Sequence, residues 1–309
     1  MAKPLKHVVD TEFFNEDFLN KIFERADHFK KALSTPDGRK KIGKTLDGKL
    51  VFAMFFEPST RTRLSFTSAA MHLGAKVATA ENARESSSAS KGETLEDTIR
   101  MYCGYKPDAV IMRHHETGAA VKAASISTVP IINAGDGSGE HPTQSLLDLY
   151  TIRSEIGRLD NLHVIIGGDL ANGRTARSLS RVLAKFPGNK ITYVAPHSLR
   201  MNEDIKQHLN TKGVEFTETE DLESALPAAD VVYWTRIQKE RITGDVPKNS
   251  YIIDLPHSEL MPGHAIIMHP LPRVDEITPA VDTTPHAAYF RQAENGLYVR
   301  MALLEWVLS

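Results

Sequence analysis

The stretch LVFAMFFEPSTRTR, residues 50–63, decides the fold. Residues 50–56 are continuously apolar, as expected of a strand buried on both faces of a parallel sheet. Glu57-Pro58 ends the run. Ser59-Thr60-Arg61-Thr62-Arg63 then leads into Phe66, Ala70 and Leu73, spaced along one helical face and stopped by Gly74. A buried strand passing through a short polar turn into a helix opens a βαβ unit.

Outward from this stretch the same alternation repeats. Strands are expected at residues 50–56, 76–80, 108–113 and 129–134 in the first half, and at 163–167, 190–195, 231–235, 251–255 and 265–268 in the second. Leu179, Val182, Leu183 and Phe186 mark a helix ended by Pro187-Gly188. Leu146, Leu149 and Tyr150 mark another, running to Gly157 and leading from the first half into the second. Residues 296–308 are helical in period and return to the first half. The expected fold is α/β: two doubly wound parallel-sheet domains joined by helices, with a substrate site in the cleft between them. Residues 1–142 with 292–309 form one domain and 143–291 the other, in keeping with 309 residues at roughly 150 per domain.

Composition removes several classes of function. A net charge of −2 gives no basic footprint, so no nucleic-acid partner is expected. The one cysteine, Cys103, allows neither a disulfide framework nor a Cys-rich zinc site and suits a reducing cytoplasm. The apolar run at 51–56 falls far short of the ~18 residues that span a bilayer. Lys3, Lys6, Asp10 and Glu12 occupy the place of a secretory apolar segment. A cytoplasmic protein without membrane attachment is expected.

Polar motifs cluster where the strands end, which is where doubly wound sheets bind ligands. Residues 108–113 end in Arg113. Residues 129–134 lead to His141-Pro142-Thr143-Gln144, residues 163–167 to Asp169 and Arg174, residues 231–235 to Arg236 and Gln238, and residues 265–268 to His269-Pro270-Leu271-Pro272-Arg273. Ser59, Thr60 and Thr62 stand at a helix N-terminus, where free N–H groups and the helix dipole favour an anion. A hydroxyl there also suits a plain N-cap, but Arg61 opposes the dipole unless an anion sits beside it. No Walker loop is present, and the glycines of residues 167–173 miss the dinucleotide spacing, so a tight strand-to-helix turn explains them. His114 and His115 diverge on a strand with no third ligand in register, so neither metal nor cofactor is expected.

The segment from Phe56 to Arg63, with His141-Pro142-Thr143-Gln144 and the 269–273 motif, resembles the aspartate/ornithine carbamoyltransferase family, in order and spacing, over essentially the whole chain. The resemblance implies transfer of a carbamoyl group from carbamoyl phosphate to the amine of L-aspartate in de novo pyrimidine (UMP) synthesis. It assigns catalytic roles to Arg61, Thr62, Arg113 and His141. Carbamoyl phosphate contacts fall on Ser59, Thr60, Arg61, Thr62, Ser87, Lys91, Arg113, His141 and Gln144, with backbone contacts from Leu271 and Pro272. Aspartate contacts fall on Lys91, Arg174, Arg236 and Gln238. A family member using ornithine is the alternative; Arg174 and Arg236 suit a dicarboxylate instead, and Pro270 stands where ornithine-using relatives carry Cys. A solute-binding protein clamping a phosphorylated ligand is a rival of another class. The resemblance further implies a homotrimer with shared active sites, Ser87 and Lys91 reaching a neighbouring copy. It also implies an allosteric enzyme joined by zinc-containing regulatory chains in a larger complex, although residues 240–250 depart from the pattern of relatives that bind them.

Overall fold

The computed structural model describes residues 5–81, 92–237 and 251–309. Contacts divide the chain into a first unit, Met1–Leu146 with Asn295–Ser309, and a second, Leu147–Glu294. The chain passes between units within the helices Pro142–Ile156 and Tyr289–Leu308.

The first unit carries a parallel sheet of β1 (Leu50–Phe55), β2 (Lys76–Glu81), β3 (Ala109–His114) and β4 (Ile131–Asp136), in the order β2-β1-β3-β4. The strand order reverses between β1 and β3, which makes their carboxyl ends the switch point. β1 and β3 are almost wholly buried because helices cover them. Phe52, Met54, Val110, Met112 and Ile131 belong to one core cluster, packed with Ile99, Tyr102 and Ala120 from the helices Leu95–Gly104 and Ala119–Ile126. The helix Glu16–Leu33 starts at Asn15, whose side chain accepts from the Phe18 N–H. Glu16 and Asp17 in its first turn and Lys30 and Lys31 in its last complement the dipole. Arg25 holds Glu305 of Tyr289–Leu308 through two hydrogen bonds, of 2.6 and 2.8 Å.

The second unit carries β5 (His163–Gly167), β6 (Lys190–Val194), β7 (Glu215–Thr219), β8 (Val231–Trp234) and β9 (Ile266–Met268), all parallel, in the order β7-β6-β5-β8-β9. Its switch point lies between β5 and β8. Trp234, fully buried, donates from its indole to the Tyr251 carbonyl at 3.0 Å and packs with Ile165, Val232 and Ile267.

The amino ends of the two switch points are built alike. Asp108, just before β3, accepts from the Leu50 N–H at 2.8 Å and from Lys49 at 2.9 Å. Asp230, just before β8, accepts from the His163 N–H at 2.7 Å and from Arg158 at 2.9 Å.

Several expected elements change. β7 was not expected: EFTET carries one apolar residue, Phe216, because an edge strand need not be buried on both faces. Residues 251–255 do not join the sheet. Ile253 makes an isolated bridge to Ile277, and Asp254 then caps the helix Leu255–Glu259, whose Pro256 fits the first turn. β4 begins after Pro130, which has no N–H to give a ladder. The helix Arg174–Leu183 stops before Phe186, and the last helix begins at Tyr289, ahead of residue 296.

Candidate active site

Three adjacent strands of the first unit, β1, β3 and β4, deliver polar residues at their carboxyl ends. Phe55 pairs with Arg113, and the Phe56 N–H donates to the Arg113 carbonyl at 2.9 Å, so Arg113 stands beside the turn that starts the helix Thr60–His72. Ser59 is the N-cap residue of this helix, yet its hydroxyl makes no capping bond, and the first turn has no acidic residue. The plain capping explanation therefore fails for Ser59. Thr62 is buried, while Thr60 and Arg61 are exposed.

The Arg113 side chain is 13% exposed and meets Glu57 at 3.3 Å. Its Nε is buried with no hydrogen bond among the described residues. Burial disfavours the charged guanidinium and pulls its pKa down; Glu57 opposes this, and the nearby charge of Arg61 adds to it. Burial also lowers the Arg61 pKa. Both groups nevertheless stay cationic, as guanidinium does in proteins. Like charges so placed, with a donor unused, favour an incoming anion.

His141 and Gln144 come from the turn after β4. Asp136 ties that turn down, accepting from the Gly118 N–H at 2.9 Å and the Glu140 N–H at 3.0 Å. The His141 carbonyl receives the N–H groups of Gln144 and Ser145, and its buried ring lies with Nδ1 3.4 Å from the Thr143 hydroxyl.

In the second unit, β5, β8 and β9 do the corresponding work. Gly167 pairs with Trp234, and the Thr235 hydroxyl donates to the Gly167 carbonyl at 2.9 Å while accepting from the Asp169 N–H at 3.2 Å. A Cβ on Gly168, at φ 99°, would stand 2.1 Å from the Thr235 carbonyl oxygen. The glycines serve this close strand-to-helix packing. Arg174 opens the helix Arg174–Leu183, which has no side-chain cap and no acid in its first turn. Arg236 follows Thr235 and is half-buried. Beyond β9, Leu271 adopts φ 53° and the Leu271–Pro272 peptide is cis.

The structure thus gathers Ser59, Thr60, Arg61, Thr62, Arg113, His141 and Gln144 at one set of strand ends, and Arg174, Arg236, Leu271 and Pro272 at another. Ser87, Lys91 and Gln238 lie outside the described residues. Glu57, His269 and Glu276 had no assigned role in the sequence. The motifs at 56–63 and 269–273 hinted at Glu57 and His269, whereas Glu276 meets His269 only through the fold of a loop. Among the described residues, no group of three or more His, Cys, Asp or Glu side chains is arranged to hold a metal, and no helix is long and apolar enough to cross a membrane.

Comparison with known proteins follows the same division. A family model described as aspartate/ornithine carbamoyltransferase, carbamoyl-P binding domain, matches residues 6–154, and one described as the Asp/Orn binding domain matches 160–307. The chain is 50% identical to a chloroplastic aspartate carbamoyltransferase of Oryza sativa subsp. japonica, over 98% of this chain and 85% of that one. Its structure is similar to the catalytic subunit of M. jannaschii aspartate transcarbamoylase, with TM-score 0.88, 44% identity and 98% of each chain covered. It is also similar to aspartate transcarbamoylase from Trypanosoma cruzi in complex with carbamoyl phosphate and aspartate, with TM-score 0.90, 38% identity and coverage of 98% and 97%.

Proposed function

The chain belongs to the aspartate/ornithine carbamoyltransferase family and transfers the carbamoyl group of carbamoyl phosphate to the amine of L-aspartate; we propose that the first unit holds the carbamoyl donor and the second the aspartate carboxylates. The observation that supports this division is that two arginines stand at or beyond the carboxyl ends of the strands of each switch point, Arg61 after β1 and Arg113 at the end of β3, and Arg174 and Arg236 after β5 and β8.

Carbamoyl phosphate brings about two negative charges, as phosphate monoesters do near neutral pH. Ser59, Thr60, Arg61, Thr62 and Arg113 receive its phosphate, joined by Ser87 and Lys91. Thr62, Arg113 and His141 donate to the carbamoyl oxygen. Gln144 and the Leu271 and Pro272 carbonyls accept from the carbamoyl amine. Arg174, Arg236 and Gln238 fork onto the aspartate carboxylates, with Lys91 also in reach of that substrate.

The neutral amine of aspartate attacks the carbamoyl carbon. Charge gathers on the carbamoyl oxygen, where the three donors stabilise it as an oxyanion hole does. The new C–N bond forms, the C–O bond to phosphate breaks, and phosphate leaves with the amine proton. The products are N-carbamoyl-L-aspartate and phosphate, the chemistry of de novo pyrimidine synthesis. Holding both substrates in register supplies ~7–11 kcal/mol of the barrier reduction. No side-chain nucleophile, cofactor or metal takes part.

The same proposal has the chain working in the cytoplasm as a homotrimer with shared sites, with regulatory chains as a further partner. The single cysteine supports the cytoplasmic placement, and the family resemblance supports the trimer and its regulatory partner. Incubation with carbamoyl phosphate and either L-aspartate or L-ornithine tests the reaction by product mass. N-carbamoyl-L-aspartate should form, and formation of citrulline alone would contradict the proposal.

A further inference from the structure

The loop following β9 contains a buried imidazole–carboxylate pair whose hydrogen bonds run to the backbone on which the carbamoyl amine is proposed to rest. Leu271 holds φ 53°, a conformation that side chains other than glycine resist. Its N–H donates to Nδ1 of His269 at 2.8 Å. An amide nitrogen only donates, so Nδ1 carries the lone pair and the ring proton is on Nε2. Nε2 lies 2.8 Å from Oε1 of Glu276, with the two side chains 1% and 5% exposed. The other oxygen of Glu276 accepts from the N–H groups of Val274, at 3.0 Å, and Asp275, at 3.1 Å. One pair therefore fixes three backbone N–H groups of a single loop. The His269 N–H is held in turn by Gln292 at 2.8 Å. Gln292 donates to Asp148 at 2.7 Å, and Asp148 accepts from the Tyr233 hydroxyl at 3.0 Å.

We propose that His269, locked by Glu276 as the neutral Nε2–H tautomer, is a positioning residue that aims the Leu271 and Pro272 carbonyls at the carbamoyl amine. This rests on the proposed contact between those carbonyls and that amine. An acceptor already fixed before substrate arrives needs no reorganisation during the reaction, so its alignment is felt in turnover.

Two isosteres separate positioning from simple structural support. His269→Asn puts an oxygen where Nδ1 lies and keeps an acceptor for the Leu271 N–H. His269→Gln puts an amide where Nε2 lies and keeps the Glu276 contact but abandons Leu271. Both variants should be assayed for kcat, the KM for carbamoyl phosphate, inhibition by inorganic phosphate, and Tm. His269→Gln should lose about 10–100-fold in kcat/KM for carbamoyl phosphate, the range seen when outer supporting groups are removed. His269→Asn should recover at least about 5-fold of that loss, and inhibition by phosphate should stay within about 2-fold in both, since phosphate lacks the carbamoyl amine. Equal losses in the two variants, or the better activity in His269→Gln, would overturn the proposal. Nitrogen-15 NMR of labelled histidine in the unmodified protein gives a second test: a protonated Nε2 and bare Nδ1 are expected, and a proton on Nδ1 would overturn it. In the unmodified protein, phosphate must compete with carbamoyl phosphate. Failure there would count against the donor site itself, independently of the variants.

Discussion

At the β1/β3 switch point the turn is made of Pro58 and Ser59, and recognition lies in side chains: an uncapped hydroxyl, Arg61 at the helix start, and buried Arg113 with an unused Nε. At the β5/β8 switch point the turn is made of glycines pressed against Trp234 and Thr235, and the charges arrive from Arg174 and Arg236 around it. In the proposed division, the first half-site surrounds a compact dianion with converging donors. The second clears backbone space, and the proposal gives its arginines two separate carboxylates to fork onto. On that proposal one sheet topology serves two ligands because the residues after the strands differ, while the strands and their amino-end Asp108 and Asp230 are built alike.

The comparison breaks most visibly at Arg113. Arg113→Ala removes a buried donor proposed to serve both the phosphate and the developing oxyanion. It should lower kcat/KM for carbamoyl phosphate by about 10³-fold, with a much smaller change in overall fold, read by steady-state kinetics and circular dichroism. On the other side the vulnerable position is a glycine. Gly168→Ala drives a Cβ to within 2.1 Å of the Thr235 carbonyl at positive φ, so unfolding should shift by about 2–4 kcal/mol in denaturant titration. Pro58→Ala, at the corresponding turn of the first unit, should cost less than about 1 kcal/mol.

The amino ends of the switch points sharpen the comparison further. Burial alone would push Asp230 up, but bonds from the His163 N–H, His264 and Arg158 hold it below the usual carboxylate range. A lowered folded pKa means that this stability is complete above the unfolded value of about 3.9 and drains as pH falls through the folded value. Asp230→Asn should therefore cost about 1–3 kcal/mol at pH 7, and the difference from the unmodified chain should vanish in strong acid. Asp108, whose side chain is 31% exposed against 13% for Asp230, should cost less when changed to Asn.

The smallest effect concerns helix caps. Asn15→Ala removes a capping bond and should destabilise by about 1 kcal/mol. Ser59→Ala removes none, so thermal unfolding should hardly move while the KM for carbamoyl phosphate rises. A stability loss as large as that of Asn15→Ala would return Ser59 to an ordinary cap.

Much of this is legible in the amino-acid sequence. Strands buried on both faces announce themselves as apolar runs, which is why residues 50–56 and 163–167 were found and the edge strand β7 was not. Residues 251–255 misled because Tyr251 and Ile253 are buried without belonging to the sheet. The helix Glu16–Leu33 is written in Phe18, Ile22, Ala26 and Phe29, a periodicity the strand-and-turn pattern alone does not single out. At the candidate site, the placement of Arg113 and Arg236 at strand ends was readable from the apolar runs that precede them. The pairing of His269 with Glu276 was not, since it depends on how a loop folds back on itself. Nor does composition reveal that Leu271 takes a left-handed conformation.

Isothermal titration of inorganic phosphate into the unmodified chain, Arg113→Ala and Arg236→Ala tests the division of labour most directly. Phosphate affinity should collapse in Arg113→Ala and remain near that of the unmodified chain in Arg236→Ala. Equal losses in the two variants would contradict the assignment of separate anions to the two switch points.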